Sequence, residues 1–185
     1  MRIKALCALL IFGFILPAFG QNINDFETKT DNGSITITGY KGTVKDIVIP
    51  ESINGMPVTG IGDKAFYQNR LTNVTFPRTI TVIGSNAFSY NRLTRVTFPD
   101  SLLTIDYMAF YKNRLADINL PGSLDFIGIG AFSENRLKNV TLPDSVTYIG
   151  DRAFSRNFID VVTVSRSVRN FNSYAFDRYV KIIRD

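Results

Sequence analysis

The pair Ala-Phe returns along this chain at one interval. Ala65-Phe66, Ala87-Phe88, Ala109-Phe110, Ala131-Phe132, Ala153-Phe154 and Ala175-Phe176 are each 22 residues apart. A strict period of this length marks a solenoid, in which one unit cannot bury its apolar face alone and stacked neighbours supply the core. The clearest unit is LTNVTFPRTITVIGSNAFSYNR, Leu71 to Arg92. It recurs in register as Leu93 to Arg114 and Leu115 to Arg136, then from Leu137 with its last position changed.

Aligned copies separate what the backbone requires from what varies. Leu71, Leu93, Leu115, Leu137 and Ile159 form one apolar column; Val74, Val96, Ile118, Val140 and Val162 form a second; Phe76, Phe98, Leu120, Leu142 and Val164 form a third. The step of two between the last pair of columns puts both side chains on one face of a strand. Pro77, Pro99, Pro121 and Pro143 follow directly, and a residue without an N–H cannot continue a ladder, so the chain turns there. A second apolar pair (Ile80 and Ile83, Leu102 and Ile105, Leu124 and Ile127, Val146 and Ile149, Val168 and Phe171) runs along the opposite wall. It leads to a column of Gly84, Asp106, Gly128, Gly150 and Asn172, residue types that favour turns or tolerate left-handed backbone. The expectation is a strand on the first wall and extended or irregular turns on the second. The Phe column should rise about 4.8 Å per coil, the spacing of neighbouring strands. Asn69, Asn91, Asn113, Asn135 and Asn157 form a further column; an amide both donates and accepts, so a stack of them can satisfy turn backbone groups of adjacent coils.

The order LxxVxFP, VxxIG, AF resembles the bacterial BspA-like leucine-rich repeat, the TpLRR subclass, over about Ile47 to Phe176. The usual repeat of that family is one residue longer and carries Cys where this chain has Asn, which implies a tighter corner and a different curvature. The fold expected is a solenoid of the α/β class, mainly β: a right-handed leucine-rich-repeat coil stack of about six 22-residue repeats with an N-terminal β-hairpin cap. The resemblance implies a binding protein associated with adhesion to host proteins or other cells.

Around the repeats, residues 1–20 read as a secretory leader: Arg2 and Lys4, an apolar run from Ala5 to Leu16, then Pro17 and Ala18-Phe19-Gly20 as a small-x-small cleavage pattern. The run is short for a membrane span, which needs about 20 residues. Residues 21–43 read as the cap, with Asp31-Asn32-Gly33 between two β-prone runs as a type I′ hairpin signal. Residues 44–178 are the repeat stack, and 179–185 a capping strand after the pattern decays. The first repeat is five residues longer than later copies between its Pro and Ile, and Ser52 to Gly60 reads as a loop punctuated by Gly55 and Pro57. With no hydrophobic tail or sorting motif, the expected product is exported, free in the periplasm or outside the cell at its surface.

The chain has no His and no Trp, and its one Cys, Cys7, lies in the leader. Without His or Cys after the leader, the usual nucleophile-base pairs and zinc sites lack parts. Asp100 and Asp144 share a column with Arg78 and Arg166, as a solvated surface position does. No Gly-rich loop follows a strand and opens a helix, so nucleotide binding is unsupported. No enzyme, cofactor, metal, nucleic-acid partner or stable membrane insertion after leader cleavage is expected. What remains are two surface ladders. The outward side of the first-wall strand carries Asn73, Arg95, Asp117, Asn139 and Val161 in one row and Thr75, Thr97, Asn119, Thr141 and Thr163 in the next. Thr is a good strand former and Arg95 opposes Asp117, so these rows either keep the sheet soluble or form a protein-binding face. Arg70, Arg92, Arg114 and Arg136 follow the Asn column, with Tyr67, Tyr90 and Tyr111 close by. The row is either a solvated edge or a ridge that binds carboxylates or sulfates. The partner expected is a host matrix or surface protein, or an acidic glycan. The competing reading is a scaffolding protein of the envelope without external ligand, and an enzyme inhibitor would need Ser52 to Gly60 as its protruding loop.

Overall fold

The computed structural model describes residues 21–171 and 173–184. The leader, the corner residue Asn172 and the terminal Asp185 lie outside the described residues. Strands β1 (Phe26–Asp31) and β2 (Ser34–Tyr40) open the chain. They are followed by β3 (Asp46–Val48), β4 (Ser52–Ile53), β5 (Met56–Ile61), β6 (Asn73–Thr75), β7 (Val82–Ile83), β8 (Thr104–Ile105) and β9 (Phe126–Ile127). The last are β10 (Tyr148–Ile149), β11 (Val161–Val164), β12 (Asn170–Phe171) and β13 (Lys181–Arg184). Among the described residues helix is confined to two 3-10 turns, Ile23–Asp25 and Ser173–Ala175, so the solenoid is β in all but name.

The hairpin forms where Asn32 and Gly33 take φ of 46° and 74°, the two positive values a type I′ turn requires. Ile35 and Ile37 point inward and are fully buried. Phe26 and Tyr40 lie over the first ring of the repeat, with centroids 6.3 and 5.6 Å from Phe66. The hairpin is also a structural rung, because β2 pairs in parallel with β5. The second-wall sheet then runs β2-β5-β7-β8-β9-β10-β12 without interruption, giving seven parallel rungs, with β1 outside β2 and β4 on β5. The stretch from Ser52 to Gly60 is not an open loop. β4 and β5 form a hairpin turned by Asn54 and Gly55 at φ 52° and 77°, the same dipeptide chemistry as in the cap, so five extra residues are absorbed without displacing the next rung.

The first wall differs from the sequence expectation. It carries β3 paired with β6, single bridges Thr75 to Thr97 and Thr97 to Asn119, and β11 paired with β13; the continuous ladder is on the opposite wall. In the repeats that begin at Leu71, Leu93, Leu115 and Leu137 the Leu amide donates to an Asn side chain, as Leu93 does to Asn113 Oδ1 at 3.1 Å, and at the other end of the segment Pro has no donor. On the second wall, amides such as Thr81, Leu103, Asp125, Thr147 and Arg169 each reach the preceding coil.

A third set of bonds runs through the Ala-Phe segment. In the coil of Phe88, the amides of Asn86, Phe88 and Tyr90 donate to the carbonyls of Tyr107, Ala109 and Tyr111 in the next coil, at 2.8 to 2.9 Å. Alternate amides can all point the same way because the flanking residues are left-handed. Lys64, Asn86, Met108, Gly130 and Arg152 have φ between 49° and 65°, and Gln68, Tyr90, Lys112, Glu134 and Arg156 between 52° and 59°. The left-handed positions thus fall two residues beyond the Gly84, Gly128 and Gly150 column. Those glycines answer a close approach instead: a Cβ on Gly150 would sit 2.4 Å from the Ile129 nitrogen, and one on Gly128 2.5 Å from the Asp106 carbonyl carbon.

The core is a stack of rings. Consecutive centroids from Phe66 to Phe176 lie 5.0 to 5.5 Å apart with planes within 9° of parallel, slightly wider than the ladder step. Phe76 and Phe98 meet Phe88 and Phe110 edge-on at 5.5 and 5.4 Å, an arrangement the ring quadrupoles favour. Asn91, Asn113, Asn135 and Asn157 are buried. Each is bonded to the backbone of its own coil and of the coil before: Asn113 accepts from Leu93 N and donates to Phe88 O at 2.9 Å and Phe110 O at 3.1 Å. Asn69 in the first coil is half-buried and donates to Tyr40 O at 3.4 Å, so the column weakens at the capped end.

Two outcomes are expected in thermal melts. Phe110→Ala opens a cavity between two coils and should cost about 3 to 5 kcal/mol, roughly 10 °C of melting temperature at this chain length, whereas Thr97→Ala on the exposed first wall should shift it little. Asn113→Ala strands one buried amide and two carbonyls, at about 1 to 3 kcal/mol for each group left unpaired. Equal losses for Phe110→Ala and Thr97→Ala, or an unchanged curve for Asn113→Ala, would contradict the assigned packing.

Candidate binding surfaces

The first-wall rows face solvent throughout: Asn73, Arg95, Asp117, Asn139 and Val161 are exposed, as are Thr75, Thr97, Asn119, Thr141 and Thr163. The bridges through Thr75, Thr97 and Asn119 put that row in coil-to-coil register. Arg95 and Asp117 share a row but form no ion pair among the described residues.

The Arg row is held from its backbone. The amides of Arg92, Arg114 and Arg136 donate to Leu71, Leu93 and Leu115 carbonyls at 2.8 to 2.9 Å, and Phe158 continues the pattern to Leu137. Arg70 departs from it with φ 60°. All four Arg side chains are exposed and, among the described residues, have no side-chain partner. The row ends on Phe158, which is 63% exposed.

The tyrosines beside that row stack on one another. Tyr67, Tyr90 and Tyr111 form their own ladder, edge-to-face at 5.5 and 5.3 Å. Lys112 Nζ covers two of them, 5.1 Å from the Tyr90 centroid and 5.4 Å from that of Tyr111. Beside it lies a cluster the motif reading passed over. Glu134 accepts from the Tyr111 hydroxyl at 3.1 Å, pairs with Lys112 at 3.5 Å and receives Arg156. Its signal was present as a column, since Lys112, Glu134 and Arg156 stand 22 residues apart with alternating charge. Burial pushes the Glu134 carboxyl upward, but the Arg156 and Tyr111 hydrogen bonds and the Lys112 charge outweigh it and hold it below the usual carboxylate range. Burial, then Glu134, raises the Tyr111 hydroxyl.

A carboxyl held low when folded contributes stability above its unfolded value near 4.3, and that contribution is lost as pH falls through the folded value. Glu134→Gln should therefore lower the melting temperature at pH 7 by a few degrees, for pairs of this exposure worth about 1 kcal/mol. The gap to wild type should close toward pH 3; a gap of equal size at both pH values would separate the effect from the charge.

No curated protein matches the sequence. A crystal structure of a T. pallidum leucine-rich repeat protein (TpLRR) is 30% identical and covers 89% of this chain and 81% of its own, with a TM-score of 0.74. A leucine-rich repeat protein from Bacteroides ovatus ATCC 8483 is 21% identical over 89% of this chain and 53% of its own, with a TM-score of 0.65, a likeness of fold. A family model for the BspA type leucine-rich repeat region matches residues 59–183 in six copies, and the chain belongs to that family.

Proposed function

We propose that this protein is an exported, non-enzymatic binding module that attaches to acidic proteins or sulfated glycans on host or cell surfaces through its Arg ridge. The family supports the general class, since leucine-rich repeat domains are protein-interaction modules. The observation that carries the specific reading is the ridge itself. Arg92, Arg114 and Arg136 are anchored at coil spacing by their own backbone amides, while among the described residues their guanidinium groups make no hydrogen bond to the protein. Each guanidinium is a planar fork that can meet a carboxylate or sulfate with two hydrogen bonds. Like charges about 5 Å apart in water repel by roughly 0.8 kcal/mol before screening, a cost small enough for the row to persist unliganded. Export rests on the leader at residues 1–20, and the first-wall rows with Asn73, Arg95, Asp117, Asn139, Thr75, Thr97, Asn119 and Thr141 form the flanking contact face.

The test measures binding to immobilised heparin and to an acidic matrix protein, for wild type and for a variant with Arg70, Arg92, Arg114 and Arg136 all changed to Gln. Wild-type affinity should fall about tenfold or more between low and twice-physiological salt, because these contacts are screened, and the variant should bind weakly at every salt concentration. A folded variant that binds as wild type would remove the ridge from the reading and leave the first-wall face.

A further inference from the structure

The first wall opens on an edge strand. β3 is paired on one side to β6, and the Ile49 amide just past it donates to Thr75 O at 2.9 Å. Successive residues of a parallel strand turn their amide and carbonyl to opposite neighbours, so those of Val48 point away from β6, off the outer edge. Both are met there by one side chain. The Gln21 carboxamide accepts from the Val48 amide at 2.8 Å and donates to the Val48 carbonyl at 2.6 Å. It stands where the peptide of a further rung would stand, and it blunts an edge that would otherwise be open to strand addition.

Gln21 is held from its other side as well. Asn22 caps the 3-10 turn Ile23–Asp25: its side chain accepts from the Asn24 amide at 2.9 Å, and its own amide donates to Asp25 Oδ2 at 3.2 Å. The residue after Gln21 is thus fixed, and the half-buried Gln21 side chain reaches 27 residues along the sequence to β3. The leader pattern ends at Gly20, so its removal makes Gln21 the first residue and its nitrogen a free α-amine. An N-terminal glutamine is chemically labile. The neutral α-amine attacks the side-chain Cδ, the Cδ–Nε2 bond breaks, and one amine proton leaves with Nε2 as ammonia. The product is a five-membered lactam, a pyroglutamyl terminus with no amine charge and no Nε2.

We infer that the contact with Val48 shuts this reaction off in the folded protein, so that leader cleavage yields a chain beginning with an intact glutamine whose carboxamide closes the first-wall edge. Ring closure makes Cδ tetrahedral and expels Nε2, so it cannot run to completion with Nε2 on the Val48 carbonyl and Oε1 on its amide. It also leaves that carbonyl without its donor. The modification therefore belongs to the unfolded chain, and a chain that cyclises before it folds carries an unclosed edge. The inference rests on the leader reading under which the protein is exported.

The test follows uncatalysed cyclisation, so access of an enzyme plays no part. The full chain is produced with its leader in an exporting bacterium, and the purified protein is held at about pH 8, where a large share of the α-amine is neutral. Mass spectrometry reads the N-terminal residue at the start and the loss of ammonia with time. The mature chain should start at Gln21 and cyclise at least about tenfold more slowly than the free peptide of residues 21–31, because two hydrogen bonds must open first. Denaturant should bring it to the peptide's rate. Val48→Pro removes only the amide that Gln21 uses, on an edge where Pro is tolerated, and the folded variant should cyclise several times faster than wild type. Native and denatured chains that cyclise alike, or a folded Val48→Pro variant as slow as wild type, would overturn the clamp. A chain that keeps its leader overturns the export reading and the glutamine terminus with it, and one cut elsewhere overturns the terminus alone; both show in the starting mass.

Discussion

Every coil of this molecule must close in 22 residues so that its amides meet the carbonyls of its neighbour, and the rest of the structure depends on that closure. Three hydrogen-bond systems share the register: the second-wall ladder, the Ala-Phe segment with its left-handed flanks, and the buried Asn amides. A one-residue slip in any coil would misalign all three at once and carry the Phe ring off its stack. With no Cys after Cys7 and no metal-holding cluster among the described residues, the solenoid is held by such neighbour contacts. The opposed polarity of the bonds adds cohesion, since on the second wall later coils donate to earlier ones, while in the Ala-Phe segment earlier coils donate to later ones. The one length variant near the capped end is tolerated because Asn54 and Gly55 fold the extra residues into a hairpin that returns the chain to register.

The left-handed residues show what closure costs. The five coils from Ala65-Phe66 to Ala153-Phe154 each place a non-glycine residue at positive φ on both sides of Ala-Phe, except where Gly130 serves, a conformation disfavoured by roughly 1 to 2 kcal/mol for a residue with a Cβ. The chain accepts this because the alternative is worse: with ordinary φ the alternate amides would face the core, and each unpaired one costs about as much again or more. The hydroxyls of Thr79, Ser101, Ser123 and Ser145, donating at 2.6 to 2.7 Å to the carbonyls of Val58, Ile80, Leu102 and Leu124, settle a further acceptor in each coil that the ladders leave over.

Side chains that repeat by type were legible in the sequence, and geometry created by backbone was not. The Phe and Asn columns could be read because one residue type recurs wherever one role recurs. The left-handed columns could not, since Lys64, Asn86, Met108 and Arg152 share a conformation and no chemistry. Which wall pairs continuously was also hidden: strand propensity at Val74 to Phe76 pointed to the first wall, whereas the uninterrupted ladder runs along the second. The Ser52 to Gly60 hairpin was within reach, because Asn54-Gly55 is the dipeptide already recognised in the cap. Among the surfaces, the Arg row was visible as a run of one residue type, whereas the Glu134 cluster is built from unlike residues in one column and emerges only when neighbouring coils are superposed.

A stack of near-identical coils translates each surface position into a straight row, so a single favourable substitution per repeat becomes a line of binding groups at ladder spacing. That makes the three outward rows of this protein chemically independent. The first wall is short and polar, the edge after the Asn column is cationic, and the second wall is mixed, its row running Thr81, Leu103, Asp125, Thr147 and Arg169. The core between the walls keeps the Arg edge apart from the second wall, and at physiological ionic strength a Debye length of about 8 Å leaves each nearly blind to the other. A formal net charge of +5 therefore says little about what such a molecule binds: the charge that counts is that of one row.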